Sequence, residues 1–180
     1  SMPLLIALGA HVVLMRQNGK QIAHREMPLE ALYTGYRTNV MVPDEVLAWI
    51  KVPKATAAPA VASVGAEFLR VYKISKRFED DISAVCLGIN LHIQSGVVTK
   101  ASIGVGGVAA TPVRARQTEA SLLNQPWNEA TVQRAMQTLR AEFAPISDMR
   151  ASSTYRTAVL GNLLQRYWLE SQGVQEIDVQ

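Results

Sequence analysis

Acidic and basic side chains crowd into one short segment, residues 73–81, which we call the charged corner. Its charged residues are Lys73, Lys76, Arg77, Glu79, Asp80 and Asp81. Carboxylates can do acid–base chemistry, but neighbours on a strand point to opposite faces, so at most one of Asp80 and Asp81 can enter a given site. The apolar runs on both sides are typical of one strand entering and one leaving, and the simplest alternative is a solvated turn.

Other residues that often carry chemistry are not arranged for it. The histidines His11, His24 and His92 have no metal-ligand spacing, so we expect no metal site in this chain. The segment 104–107, Gly-Val-Gly-Gly, lacks the spacing of a dinucleotide-binding loop, and no βαβ pattern surrounds it. Cys86 is the single cysteine, which excludes an internal disulfide and fits a reducing compartment; its apolar surroundings favour a buried, unreactive thiol.

Composition indicates a soluble, folded protein. The chain has 180 residues, of which 48% are hydrophobic and 18% charged, with a net charge of +3. No basic run with interleaved aromatics appears, and the apolar runs are too short to span a membrane, so we expect neither nucleic acid nor membrane as a partner. The apolar opening at Ser1 lacks a polar leader or signal peptide, which suggests a segment of a longer, cytoplasmic polypeptide.

The N-terminal part alternates short strands with turns. A helical turn is predicted at residues 3–8. Residues 10–15 and 21–25 are expected to form a hairpin around Asn18-Gly19. A short helix is predicted at 27–32, followed by a loop at 33–37. The segment Val46–Val52 is apolar on both faces, which predicts a buried strand. Residues 54–66 are rich in alanine and poor in large side chains, so they predict a linker.

The C-terminal part begins with strands and ends with helices. Alternation over 83–93 and 97–105, joined by Gln94-Ser95-Gly96, predicts a long antiparallel hairpin. Glycines on one face of the second strand predict that another element approaches closely there. Helices are predicted at 114–123, at 129–143 with Asn128 as N-cap, and from Ser152 or Ser153 to about Glu170. The fold class is therefore α+β, an antiparallel sheet with helices on one face.

Residues 72–85 closely resemble a segment of the flavin-carrying subunit of bacterial xanthine dehydrogenases, in the CO dehydrogenase flavoprotein family. Further motifs resemble that family in the same order along the chain. These are Ser1-Met2-Pro3, Tyr33-Thr34-Gly35-Tyr36-Arg37, Gly104 to Ala109 with Pro112, Arg114 and Ala115, and Ser147 to Ser152 with Tyr155 and Arg156. The resemblance implies the tail of an FAD-binding domain at residues 1–53, a linker at 54–66, and the flavoprotein's C-terminal domain at 67–180.

The same resemblance implies a role in an oxidoreductase that hydroxylates purines at a molybdenum centre. Electrons pass through iron–sulfur clusters to FAD and then to NAD, with the molybdopterin subunit and clusters elsewhere in the complex. Lys73 and Leu47 match positions that line FAD in the family, and Asp80 and Asp81 lie near the flavin. Arg37 is a further candidate for an FAD contact or an ion pair between domains. The protein supplies orientation and electrostatics around such a cofactor.

Three alternatives stay open. The chain could be a non-catalytic α+β interaction module that can dimerise, or the flavoprotein of a carbon monoxide dehydrogenase or aromatic-CoA reductase. For Asp80 and Asp81, an ion pair with Lys76 or Arg77 is as good an interpretation as a role beside the flavin. Because the family's glycine-rich FAD-binding half is absent, we expect this chain alone to bind FAD weakly or not at all, and to be inactive.

Overall fold

The computed structural model describes residues 1–54, 66–77 and 81–173. Its helices are α1 (Met2–Ala7), α2 (Arg116–Leu122), α3 (Glu129–Glu142) and α4 (Ser153–Ser171). Its strands are β1 (His11–Asn18), β2 (Gln21–Pro28), β3 (Tyr33–Gly35), β4 (Thr38–Asn39), β5 (Val46–Lys51), β6 (Ala66–Ile74), β7 (Val85–Gln94), β8 (Val97–Gly106) and β9 (Val113–Arg114). Helices and antiparallel sheets confirm the α+β class.

The first sheet has the strand order β2-β1-β5 and forms the N-terminal module, residues 1–54. β1 and β2 form the predicted hairpin, with Asn18 opposite Gln21 and Gly19 at a φ of +62° that glycine adopts without strain. Alternate residues of β1, Val12 and Leu14, are fully buried in a small cluster with α1 and the segment after β2. This cluster is separate from the larger core of the second sheet.

The prediction that Val46–Val52 forms a buried strand is wrong about burial. Among the described residues, β5 is an edge strand that pairs with β1 alone, and Trp49 and Val46 are 57% and 62% exposed. Trp49 lies opposite Val13, on the side of the sheet that faces away from the Val12 and Leu14 cluster. An apolar pattern on both faces requires cover on both faces, which the described residues do not supply for Trp49.

Two local predictions in the same module also need correction. The short helix expected at 27–32 is a single 3-10 turn at Leu29–Ala31, because β2 continues to Pro28. The loop expected at 33–37 is part of a small hairpin, in which β3 pairs with β4. Arg37 takes a φ of +58° in its turn, a conformation that few residues other than glycine adopt.

The second sheet, with the order β6-β7-β8-β9, forms the C-terminal module, residues 66–173. The predicted hairpin of β7 and β8 is confirmed, and alternate β7 residues from Val85 to Leu91 are completely buried. They pack with Ile103 and Val105 of β8 against the helices. Most of the expected linker, residues 55–65, lies outside the described residues.

The three C-terminal helices cover one face of this sheet, as predicted. The Asn128 side chain accepts a hydrogen bond from Thr131 N at the start of α3, and Ser152 does the same for Tyr155 N at the start of α4. Apolar α4 residues, among them Leu160, Leu164 and Tyr167, lie in the core. The opposite, outer face of the sheet is left for α1 of the N-terminal module.

Candidate functional site

Lys73 lies on the outer face of the second sheet, near one end. Successive strand residues point to opposite sides, so Tyr72 enters the core while Lys73 stays exposed. Lys73 pairs with Cys86 across β6 and β7, and Cys86 pairs with Gly106 on β8. Burial raises the pKa of the Cys86 thiol, and the positive charge of Lys73 opposes that shift. Pro3 of α1 lies against Gly106, the partner of Cys86 on β8, so the start of α1 and Lys73 share this end of the face.

The strand that carries Lys73 is fastened to the last turns of α4. The Glu170 carboxylate accepts hydrogen bonds from Tyr72 Oη and Arg70 Nε, both at 3.0 Å, and from Arg166 Nε at 2.8 Å. The Tyr167 hydroxyl donates to the Phe68 carbonyl at 2.5 Å. Bonds to a charged acceptor are the stronger kind, so they fix the position of β6 relative to the helices.

Three glycines make the outer face beside Lys73 a flat seat for α1. A Cβ on Gly88 would lie 2.9 Å from the Pro3 carbonyl oxygen, and one on Gly106 would lie 3.1 Å from Pro3 Cγ. A Cβ on Gly104 would overlap that same oxygen and lie 2.9 Å from the Pro3 carbonyl carbon. This confirms the prediction that the glycines of β8, Gly104 and Gly106, permit a close approach, and it shows that the approaching element is a helix.

Polar contacts tie the two modules together around this seat. The Ser102 hydroxyl donates to the Ile6 carbonyl at 3.3 Å. Glu30, just after β2, forms an ion pair with Arg116 and lies 4.0 Å from Arg114. The N-terminal module therefore holds a defined position over the outer face.

The charged corner connects β6 to β7, and part of it can be described. The Ala84 N–H donates to the Ile74 carbonyl at 2.8 Å and so closes the base of the loop. Asp81 accepts from its neighbour Ile82 N at 2.9 Å and from Arg77 Nε at 3.4 Å, and the bond from Arg77 is the main reason that the pKa of Asp81 lies below its usual value. Asp80 lies outside the described residues.

Arg156 is a buried cation behind the corner whose role the sequence did not reveal. Its guanidinium donates to the Ala84 carbonyl at 2.6 Å, the Gly107 carbonyl at 2.7 Å and Asp148 Oδ1 at 2.6 Å. The side chain is 3% exposed. Backbone N–H donors, that of Arg150 first, and the Arg156 side chain hold the pKa of Asp148 below its usual value. Arg156 therefore joins segments that supplied three separate motif resemblances.

A cavity of about 310 Å³ opens beside the corner. Its lining comes from the last residue of β6 and the two residues after it, from Ala84 just before β7, and from the segment around the N-terminus of α4, and it includes Lys76, Arg150 and Tyr155. Helix N-termini and basic side chains both favour anions. The cavity is therefore better suited to an anionic molecule than to a neutral one.

Leu47 and Arg37, the remaining predicted site residues, lie in the N-terminal module. Leu47 is on the edge strand β5 and is 39% exposed. Arg37 is exposed, with its guanidinium carbon 5.5 Å from the centroid of the Tyr36 ring. Within the described ranges, the charged partner of Asp81 is Arg77 and not Lys73. The shared role of the predicted site residues beside a cofactor stays a prediction.

Comparison with known proteins gives a consistent set of matches. Residues 70–171 match the family model of the CO dehydrogenase flavoprotein C-terminal domain. The chain is 31% identical over 142 residues to a xanthine dehydrogenase/oxidase of Gallus gallus, which covers 78% of this chain and 10% of the relative. It is 30% identical over 171 residues to a nicotinate hydroxylase of Emericella nidulans, covering 92% of this chain and 12% of the relative.

Solved structures show the same fold. A carbon monoxide dehydrogenase from Hydrogenophaga pseudoflava aligns with a TM-score of 0.77 and 27% identity, over 92% of this chain and 53% of that one. A quinoline 2-oxidoreductase from Pseudomonas putida 86 aligns with a TM-score of 0.74 and 22% identity, which shows the fold alone. The chain thus spans about half of the solved chains and about a tenth of the curated relatives.

Proposed function

The chain belongs to the CO dehydrogenase flavoprotein C-terminal domain family, and we propose that it is the part of a xanthine dehydrogenase-type flavoprotein that positions FAD. In this proposal the enzyme hydroxylates a purine at a molybdenum centre in a partner subunit. Iron–sulfur clusters deliver electrons, and NAD removes them. The names of the curated relatives, xanthine dehydrogenase above all, support the purine branch over the carbon monoxide branch.

The observation that supports this function most is the position of Lys73. It is an exposed cation at the edge of the glycine seat, and within the described ranges no carboxylate forms an ion pair with it. A cation there fits a cofactor phosphate or negative charge on a flavin ring, which is the fit that FAD requires. When bound, FAD supplies the electron-transfer chemistry, and Lys73 orients it and stabilises its charge.

The other predicted site residues have subsidiary roles in this proposal. Leu47 offers exposed apolar surface for the ring system or the adenine. Asp80 and Asp81 place negative charge near the flavin and so tune its reduction potential. The ion pair of Asp81 with Arg77 is compatible with that role, because the carboxylate keeps its charge. Arg37 contacts FAD or a neighbouring domain.

We assign residues 1–53 to the end of an FAD-binding domain, 54–66 to a linker and 67–180 to the flavoprotein C-terminal domain. The two separate hydrophobic clusters support this division. The exposed side of β5, with Val46 and Trp49, fits a sheet that further protein covers. The family match to residues 70–171 fits the assigned C-terminal domain.

NAD is the proposed electron acceptor, and the cavity beside the charged corner supports that choice. Its lysine and arginine suit the phosphates of a dinucleotide. No helix in the described part of the chain is long and apolar enough to cross a membrane. We propose a cytoplasmic location, which the single cysteine favours.

Flavin content tests the proposal. The natural polypeptide that contains these residues should purify with about one FAD per chain and be reduced by NADH, whereas the 180-residue chain alone should hold little flavin. A natural polypeptide that neither carries FAD nor binds it when it is added would contradict the function. Stoichiometric flavin on the chain alone would contradict the division of the FAD site between two parts.

The exposed edge strand β5 favours one second function, a non-catalytic interaction module. One backbone edge of β5 has no partner strand within the described ranges, so it can pair with a second copy, with the exposed Trp49 and Ile50 as apolar contacts. Measurement of molar mass in solution separates the two functions when it is combined with flavin content. A natural polypeptide that dimerises through β5 and lacks flavin would favour the module.

A further inference from the structure

Arg156 forms an unusual set of contacts for a structural arginine. Two of its three acceptors are main-chain carbonyls, Ala84 O and Gly107 O, that lie 72 and 49 residues away in the sequence. The third acceptor is Asp148, which fixes the loop before α4. Charge-assisted bonds of 2.6–2.7 Å at a side chain with 3% exposure are among the strongest in a protein.

Gly107 makes room for this arrangement. Its φ is +85°, which glycine adopts readily. A Cβ at this position would lie 3.1 Å from the Arg156 guanidinium and overlap the Ala84 carbonyl. The close approach of Gly107, Ala84 and Arg156 therefore depends on the absence of a side chain.

Arg156 binds the backbone of Ala84, which closes the loop between β6 and β7. Ala84 is the last residue before β7, and its N–H closes the loop on Ile74 while its carbonyl accepts from Arg156. Both polar groups of the Ala84 backbone are thus engaged, one by β6 and one by α4. Asp81, the described C-terminal end of the corner, lies only three residues before this anchor, so its position is tied to that of Ala84.

We propose that Arg156 is the positioning residue that sets Asp81, the described C-terminal end of the charged corner, relative to the cofactor site. It touches no cofactor itself; it acts through Ala84 and Gly107. The proposal rests on the proposed function, because the corner matters electrostatically only beside a flavin. It predicts that loosening this anchor alters the corner and the redox properties while the fold remains.

The plain alternative is that Arg156 only stabilises the packing of α4. Arg140 of α3 supplies a control, since its guanidinium also joins α4 to another element and, like Arg156, it has a buried Nε without a partner among the described residues. Its guanidinium lies against Gly161 and donates to Asn162 at 3.0 Å, away from the corner. A purely structural role predicts that Arg156→Lys lowers the free energy of unfolding but leaves the flavin potential and the KM for NADH unchanged.

The first experiment needs no cofactor. Hydrogen exchange of the Ala84 amide is measured in the 180-residue chain for Arg156→Lys, Arg140→Lys and the unaltered protein. We expect exchange at Ala84 to accelerate at least about tenfold in Arg156→Lys and to stay within about twofold in Arg140→Lys. Equal protection at Ala84 in both variants, with both folded, would overturn the proposal.

The second experiment uses the natural flavoprotein with FAD bound. Arg156→Lys should shift the flavin midpoint potential and raise the KM for NADH at least about threefold, whereas Arg140→Lys should leave both unchanged. A loosened Ala84 with an unaltered potential and KM would overturn the positioning role. Absence of FAD from the unaltered protein would instead contradict the proposed function, so the two failures are distinguishable.

A milder variant covers the case in which Arg156→Lys does not fold. Asp148→Asn keeps an oxygen acceptor and both carbonyl partners but removes the charge that holds the guanidinium. It should give the same changes in smaller degree, with faster exchange at Ala84 than in Arg140→Lys. Protection equal to that of the unaltered protein would contradict the proposal.

Discussion

Substitution of Gly104 by alanine tests the contact that joins the two modules. The new Cβ would point at α1, overlap the Pro3 carbonyl oxygen and lie 3.0 Å from Ile6 Cβ. A backbone oxygen cannot rotate away as a side chain can, so α1 must move off the sheet. Overpacking of this kind lowers the free energy of unfolding by about 1–3 kcal/mol. Alanine also lowers the conformational entropy of the unfolded chain, which stabilises the fold by about 0.4–1 kcal/mol. We expect a net loss of about 1–2 kcal/mol.

Gly106→Ala is the matched control on the same strand and face. Its Cβ would meet the tip of the Pro3 ring at 3.1 Å, a conflict that a shift of a few tenths of an ångström relieves. The stabilisation from the lower entropy of the unfolded chain and the destabilisation from this close contact then nearly cancel. The free energy of unfolding should therefore change by less than about 0.5 kcal/mol. Urea unfolding followed by circular dichroism measures both variants.

The single cysteine reports where the change occurs. Cys86 is half-buried on the face that α1 covers, and its Cβ lies 3.7 Å from the position of a Cβ on Gly106. Displacement of α1 in Gly104→Ala should therefore accelerate labelling of Cys86 by a thiol reagent several-fold. Unchanged stability and unchanged labelling in Gly104→Ala would refute the docking of α1 on the glycine seat.

Three further predictions follow from burial and charge. Leu14→Ala should lower the free energy of unfolding in urea by about 2–5 kcal/mol, and Trp49→Ala should lower it by less than about 1 kcal/mol. The reason is that Leu14 is fully buried and Trp49 is exposed. Equal losses in the two variants would show that the Trp49 side chain is packed against other residues. The Arg25 guanidinium is the main cause that lowers the pKa of Glu45 from 4.5 to about 2. The stability that Glu45 contributes is thus present above pH 4.5 and lost towards pH 2, and an NMR titration of Arg25→Gln should show the pKa returning upward. Glu170→Gln should lower the free energy of unfolding in urea by about 1–3 kcal/mol, because Arg70, Tyr72 and Arg166 lose a charged acceptor. A loss below about 0.5 kcal/mol would contradict the role of Glu170 in holding β6 to α4.

Local patterns in the sequence predicted much of the C-terminal module. Strict alternation over 83–93 identified β7 and its buried face, because a period of two matches a strand and not a helix. Asn128 and Ser152 identified helix starts, since a cap acts within three residues. The glycines of β8 indicated a close approach, although α1, the element that approaches, lies about 100 residues away.

Features that depend on the environment were harder to predict. The apolar pattern of 46–52 indicated burial, but burial of Trp49 needs cover that the described chain does not provide. At 27–32 the proline suggested a helix start, whereas pairing with β1 extended β2 through Pro28 instead. Tertiary pairing overrides weak local preference in such short segments.

The candidate site also contains one feature that a local pattern predicts and one that depends on contacts between distant segments. Side chains alternate between the two faces along β6, so the exposure of the Lys73 ammonium group to a ligand could be predicted from the sequence. The role of Arg156 could not, because its acceptors Ala84 and Gly107 are backbone carbonyls that leave no side-chain pattern in the sequence. The roles of Leu47, Asp80 and Arg37 beside FAD remain predictions.

The dissociation constant for FAD in the natural polypeptide tests the central claim most directly, when Lys73→Met is compared with Lys76→Met. Both substitutions remove one lysine charge from an exposed position in the charged corner, but only Lys73 lies on the outer face beside the glycine seat. We expect Lys73→Met to weaken FAD binding about 10- to 100-fold and Lys76→Met to weaken it less than about threefold. Equal affinities in the two variants would contradict the assignment of Lys73 to the flavin site.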